Sequence, residues 1–193
     1  MMIWPEVQFE KLFSEPQRNG LYKEKKYHGS GAKIVNMGEL FAYRFVGPKD
    51  MKRLQISDSE YQRFGLNDDD LLFARRSLIE AGAGKCVIVE GVDEEMVFES
   101  SLILVRLDQK RCSSRFYFYY FYCPPGRSRV EEIITGAAQK GIRGTELARV
   151  VVHLPPLSTQ RKIAAILSAY DDLIENNMRR ISILVEMAQN LFH

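Results

Sequence analysis

Residues 154–167 read LPPLSTQRKIAAIL. Pro155 and Pro156 cannot extend a β-ladder, and a proline disfavours helix in the residue before it. Ser158 and Thr159 follow at once, and both are good helix caps. An apolar pattern then runs almost to the chain end, so residues 158–193 are expected to form one unbroken helix capped by Ser158 or Thr159. At about 1.5 Å per residue such a helix is roughly 50 Å long. That exceeds the diameter of the body that residues 1–157 can build, so much of it should project.

Along this helix Ile163, Leu167, Tyr170, Ile174, Asn177, Ile181, Leu184, Ala188 and Leu191 follow in steps of four and three. That is an a/d heptad stripe, broken once by Asn177, and it reads as a coiled-coil seam. A second stripe, Leu173, Met178, Val185 and Phe192, widens the apolar face. Asp171, Asp172 and Glu175 precede the midpoint, and Arg179 and Arg180 follow it. A parallel pair would set acid beside acid. An antiparallel pair centred near residue 175 brings Asp171 and Asp172 to the partner's Arg180 and Arg179, with the two Asn177 side chains near the centre. Glu175 and Arg179 can also pair within one helix. The alternative to a projecting helix is one folded back on its own body.

The body, 1–157, reads as mixed α and β. Trp4–Phe13 is a short strand or turn. Residues 15–33 look like a long loop, and 33–40 like a buried strand. Residues 54–77 read as strand, short helix and acidic turn, then a buried strand at Leu71–Ala74. Residues 81–91 form a glycine-hinged hairpin with Cys86–Val89 as its second strand, and 97–107 a further strand. The run RFYFYYFYC (115–123) is open: its aromatics favour a strand, but an all-apolar run this short is equally a buried helix. A proline-initiated helix is expected over Arg127–Thr135, then a Gly/Gln/Lys loop, one helical turn, and a strand ending at Leu154.

With 46% hydrophobic and 27% charged residues, the 193-residue chain can form a core. No apolar run approaches a membrane span, and the N-terminus shows no signal-peptide pattern. Cys86, Cys112 and Cys123 are odd in number and widely spaced, against a disulfide framework or a zinc site. A cytoplasmic, metal-free protein is expected. No GxxxxGK[ST] or GxGxxG loop occurs, and His28, His153 and His193 are scattered. Asp68–Asp70 reads as an acidic turn rather than a cation site. No catalytic residues are assigned.

Charge is uneven although the net charge is only +2. Residues 58–99 carry eleven acids against four bases, and 106–143 carry eight bases against three acids. A polyanion-binding loop needs Lys or Arg for phosphates, amides for base edges, and glycines for close approach. Two segments qualify: LYKEKKYHGSG (21–31), with Lys23, Lys25, Lys26 and Tyr27, and GAAQKGIRG (136–144), with Gln139, Lys140 and Arg143. Arg75 and Arg76, at a strand end, are a weaker third.

The block GAAQKGIRGTELARVVVHLPPLSTQRKIAAILSAYDDLIE resembles the specificity subunits of type I restriction–modification enzymes, with Leu154, Pro155, Pro156, Leu157, Gln160, Ile163, Ala164, Leu167 and Asp171 in place. LNDDDLLFARRS (66–77) resembles the same family's gDiLfaR strand through Asp70 to Arg75, except that Asp69 stands where glycine is usual. The resemblance implies an α+β target recognition domain (1–157) that reads one half of a bipartite site in double-stranded DNA. It implies a long conserved helix (158–193) that forms an antiparallel coiled coil, sets the spacing and docks methylase subunits. It makes the aromatic run helical. It implies no catalysis by this chain, with S-adenosylmethionine on the methylase and nuclease/translocase subunits joining in the full complex. Family members typically carry two recognition domains and two helices. One of each implies a half-length subunit, a shortened gene product or an excised piece; a half-length subunit should form an antiparallel homodimer. The alternative function is a self-associating adaptor with incidental basic loops.

Overall fold

The computed structural model describes residues 4–78, 82–137 and 139–191. Ala81 and Ala138 of the two glycine loops, Phe192 of the second helix stripe and His193 lie outside the described residues, as does the side chain of Leu191. The architecture is a mixed α+β body carrying one long C-terminal helix.

In chain order, β1 (Glu6–Gln8) leads through a 3-10 turn to β2 (Arg18–Asn19), and a second 3-10 turn (Lys25–Tyr27) opens into β3 (His28–Val35). Then come α1 (Met37–Ala42), β4 (Phe45–Val46), β5 (Arg53–Leu54) and α2 (Asp58–Phe64). Next are β6 (Leu71–Ala74), β7 (Arg76–Ser77), β8 (Cys86–Val89), β9 (Met96–Phe98) and β10 (Leu102–Val105). The chain finishes with α3 (Ser114–Tyr122), α4 (Pro124–Glu131), β11 (Lys140–Gly141), α5 (Gly144–Arg149), β12 (Val151–His153) and α6 (Leu157–Leu191).

The central sheet runs β2-β10-β6-β8-β4. Every residue of β6, β8 and β10 is buried, because both faces are covered. Alternate side chains therefore serve two cores. Leu71, Phe73, Ile88, Ile103 and Val105 face the aromatic helix α3. Leu72, Ala74, Val87, Val89, Leu102 and Leu104 face Leu40 of α1, Met96 and Phe98.

The aromatic run is helical, as the resemblance implies and against β-propensity. Residues Phe116–Phe121 are all buried, since α3 packs against α4, α6 and the sheet at once. Each tyrosine hydroxyl then needs a partner, and helical geometry sends them in different directions. Tyr117 donates to the His153 carbonyl (2.9 Å), Tyr122 to the Cys86 carbonyl (2.9 Å) and Tyr119 to Asp171 (2.7 Å), while Tyr120 meets His153 Nδ1 (3.1 Å). A flat strand could not satisfy four separate partners.

Several expected boundaries move. The segment 15–33 is not one loop: β2, a 3-10 turn and the start of β3 lie in it. Gly31, at φ +94°, allows the bulge that shifts β3 against β5, and a Cβ there would lie 2.5 Å from the Leu54 carbonyl. Alternation is lost at the bulge, so the stretch reads as loop. Residues 33–40 are strand only to Val35; Asn36 then starts α1 in a capping box with Glu39. The expected strand 97–107 is two, β9 and β10, in different sheets. α4 spans Pro124–Glu131 rather than 127–135, because Pro124 and Pro125 occupy its first turn, where no N–H is needed. α6 begins at Leu157, one residue before the expected cap. The Pro156 carbonyl accepts from Thr159 N (2.8 Å) and Gln160 N (3.0 Å), so neither Ser158 nor Thr159 is the cap.

The acidic turn has a specific shape. Asp68 accepts from Val92 N, and Asp70, buried, accepts from Asn67 N and takes two Arg106 hydrogen bonds at 2.7 Å. Asp69 between them has φ +68° and, among the described residues, is alone in this region outside glycine. That geometry explains why glycine suits the position, and why aspartate is tolerated better than most alternatives. Asp69→Gly should raise the unfolding free energy by about 0.5–1 kcal/mol, measured by urea denaturation; an unchanged or lower value would contradict strain at this turn.

Candidate nucleic-acid interface

The glycine-bounded loop before α5 is joined to the end of β6 by long-range pairing. β11 pairs antiparallel with β7, setting Lys140 opposite Ser77 and Gly141 opposite Arg76. Ile142 N donates to the Arg75 carbonyl (3.0 Å), and Thr135 and Gly141 exchange two 2.9 Å bonds that close the loop. Two glycines are required. Gly136 adopts φ +103°, and a Cβ on Gly141 would lie 2.6 Å from the Arg75 carbonyl. The structure thus gathers five of the residues singled out in the sequence: Arg75, Arg76, Gln139, Lys140 and Arg143.

Three clefts meet here. The first, about 200 Å³, is lined by these five together with Thr135. A second, about 290 Å³, shares Arg75 and Arg143 and adds Gln17, Arg18, Asn19 and Thr145. A third, about 550 Å³, shares Arg76 and Gln139 and adds Met37, Phe41, Ser77, Leu78 and Ser101. Five cations line this continuous concave face, and among the described residues no acidic side chain does. Arg18 is partly engaged by Glu15 and by the Arg63 carbonyl. Among the described residues no carboxylate pairs with Arg75, Arg76 or Arg143. These three arginines therefore leave net positive charge in a concavity, which attracts a polyanion.

Sequence reading missed Gln17, Arg18 and Asn19, which sat in a stretch expected to be loop. It also missed the apolar residues of the third cleft, which carry no charge to mark them. The lysine segment does not join this face. Lys23 donates to Glu60 (2.7 Å) and the Gln55 carbonyl (2.8 Å), anchoring the start of α2. That hydrogen bond is the main reason the Glu60 carboxyl is held below its ordinary value. The amines of Lys23 and Lys26 lie over the Tyr27 ring at 4.9 and 5.1 Å, and Lys26 pairs with Glu24. Lys25 stays exposed.

The family model of the type I restriction modification DNA specificity domain matches residues 21–186. The chain belongs to the type I restriction–modification specificity family. It is 30% identical over 181 residues to the EcoKI specificity subunit of Escherichia coli K12, covering 91% of this chain and 38% of that protein. It is 27% identical to the putative MjaX specificity subunit of Methanocaldococcus jannaschii, covering 93% and 42%. The crystal structure of the type I S subunit from M. genitalium superposes with a TM-score of 0.59 at 17% identity, over 91% of this chain and 41% of that one. A structure from a study of type I R-M complex assembly and conformational transition gives 0.66 at 14% identity, over 91% and 40%. The chain spans about two fifths of the length of these relatives.

In this specificity chain the LPPL–Q motif is a joint. Gln160 is fully buried. Its Oε1 accepts from Ser113 N (2.9 Å), and its Nε2 donates to the Pro155 carbonyl (2.7 Å). One side chain thereby ties the proline turn, the base of α6 and the start of α3 together. One turn on, Ile163, Ala164 and Leu167 pack into the aromatic core. The last body contact is Asp171, which accepts from Arg44 (2.7 Å) and Tyr119 (2.7 Å). Burial raises the Tyr119 phenol, and raises that of neighbouring Tyr122 to about 12, so both remain hydrogen-bond donors.

Beyond Asp171 every side chain of α6 with described burial is exposed. The helix neither folds back nor stands wholly clear: its first four turns belong to the body. Ile163 and Leu167, expected at the start of the seam, face the chain's own core. Tyr170, Ile174, Ile181 and Leu184 are 63, 59, 55 and 63% exposed, and Ile166 and Leu173 join them at 60 and 55%. Asn177 and Ala188 are exposed on the same half. No described helix is long and apolar enough to cross a membrane.

Proposed function

We propose that this chain selects the DNA sequence for a type I restriction–modification complex, reading one half of a bipartite site in double-stranded DNA. It is not itself catalytic. The observation that carries this is the concave face on which Arg75, Arg76 and Arg143, with no carboxylate partner among the described residues, surround Gln139. The segment of Lys23, Lys25, Lys26 and Tyr27 sits apart; its exposed Lys25 reaches flanking phosphates, while Lys23 and Lys26 are held by Glu60 and Glu24. The methylase subunits dock on the long helix and bring S-adenosylmethionine, while nuclease/translocase subunits complete the assembly in the cytoplasm, where the DNA is.

The helix supports an antiparallel homodimer. Turned away from the body, its apolar seam runs Ile166, Tyr170, Leu173, Asn177, Ile181, Leu184 and Ala188. An antiparallel pair centred on Asn177, two residues beyond the centre taken from charge alone, sets Leu173 on the partner's Ile181 and Tyr170 on the partner's Leu184. The two Asn177 side chains then meet and fix register. Glu175 faces the partner's Arg179, which replaces the pairing first assigned to Asp171, now held by Arg44. Such a dimer reads an inverted, interrupted repeat.

Fluorescence anisotropy with a random duplex pool, with and without methylase subunit, tests the DNA reading. Affinity should fall steeply with salt. Arg75→Ala, Arg76→Ala and Arg143→Ala should each lower the log–log salt slope by about one and weaken binding about tenfold. No salt-dependent binding, even with methylase present, would leave the self-associating adaptor.

A further inference from the structure

The largest of the three clefts is built unlike its neighbours. Met37, Phe41 and Leu78 line it together with Arg76 and Gln139. Leu78 is 85% exposed and Phe41 is 41% exposed, a costly placement for large apolar side chains facing only water. Phe41 is also fixed in place. A Cβ on Gly82 would lie 3.0 Å from its ring, Lys85 donates to its carbonyl (2.9 Å), and the Lys85 amine lies over the ring at 5.3 Å.

The occupant can be argued from charge and size. The patch adjoins the cationic face, so whatever covers it arrives with phosphates. Three side chains are far too few for a protein–protein interface. In the grooves of DNA one apolar group is on display, the C5-methyl of thymine in the major groove. Beside it on the same pair, adenine presents an acceptor and a donor, which a glutamine amide matches in a bidentate contact.

We infer that Met37, Phe41 and Leu78 form a subsite for the methyl group of one thymine and that Gln139 reads the adenine paired with it. The inference rests on the DNA-reading function proposed above and adds which side chains of this chain read one such pair.

The test uses the full chain in complex with its methylase subunits and a duplex selected from a random pool. Each thymine of the selected half-site is replaced in turn by deoxyuridine, which removes only the methyl group. At one position affinity should fall about fourfold, the worth of one buried methyl group. Leu78→Ala, at a highly exposed position that folding does not need, and Phe41→Ala should both abolish that discrimination. Phe41→Leu should retain it. Gln139→Ala should relax the preference for adenine at the paired position. If the complex binds the selected duplex with its normal salt dependence but no deoxyuridine substitution matters, the subsite is wrong and the DNA-reading function stands. The subsite is equally wrong if the discrimination persists unchanged in Leu78→Ala and Phe41→Ala. Absence of any DNA selection overturns both.

Discussion

Ile181→Asp should turn the proposed dimer into a monomer. In the antiparallel arrangement centred on Asn177, Ile181 of each copy packs on the partner's Leu173, so one substitution acts twice. Each copy loses roughly 2 kcal/mol of apolar burial and would also have to bury a carboxylate. The dissociation constant should rise at least about a thousandfold. Sedimentation equilibrium reads the mass directly, and an unchanged dimer mass in the Leu173→Asp, Ile181→Asp double variant would refute the helix-mediated pair. Asn177→Leu gives the complementary result: tighter association with loss of a single register, since the polar pair at the centre specifies rather than strengthens. The fold itself should be untouched, because every side chain involved is exposed beyond the last body contact at Asp171.

The second large effect belongs to Gln160. Its amide serves Ser113 N and the Pro155 carbonyl in a site closed to water. Gln160→Ala leaves both backbone groups without partners and opens a cavity at a fully buried position. A cost of about 3 kcal/mol follows, which for a chain of this size lowers the melting temperature by roughly 6–12 °C. A loss below about 1 kcal/mol would mean that the joint relaxes and that Gln160 is not its anchor. Gln160→Glu sharpens the test. A charged carboxylate still accepts from Ser113 N but faces the Pro155 carbonyl without a proton. Protonated, it donates as the amide does. Burial and this contact raise the folded-state pKa above the unfolded value. The recovered stability should thus be present below the ordinary glutamate range and vanish as the pH rises through the folded-state pKa.

Much of this was written locally in the chain. The double proline, the long apolar repeat after it and the buried strands Leu71–Ala74 and Cys86–Val89 announce themselves by composition and period. The motif LPPL–Q–IA announced a family, although only the packed joint shows why glutamine stands at 160. The glycine-flanked loop with Gln139, Lys140 and Arg143 was visible for the same kind of reason, as residue types that suit one chemistry.

What the sequence by itself determined, then, is the inventory: a mixed body, a long helix, cationic loops and no recognisable catalytic set. Tertiary structure decided the arrangement. Which side of α6 meets the body was settled by Gln160, Ala164 and Asp171 finding partners on α3 and Arg44, and that rotation packs Ile163 and Leu167 against the core while leaving Ile166 and Leu173 exposed. The aromatic run became a helix because burial on all sides asks each hydroxyl for its own partner, a demand local propensity does not contain. Arg76 and Gln139 came to border one cleft only when β7 paired with β11, joining residues more than sixty positions apart. A hydrophobic period records what a segment repeats along itself; it carries no record of what lies across from it, and the site is made of what lies across.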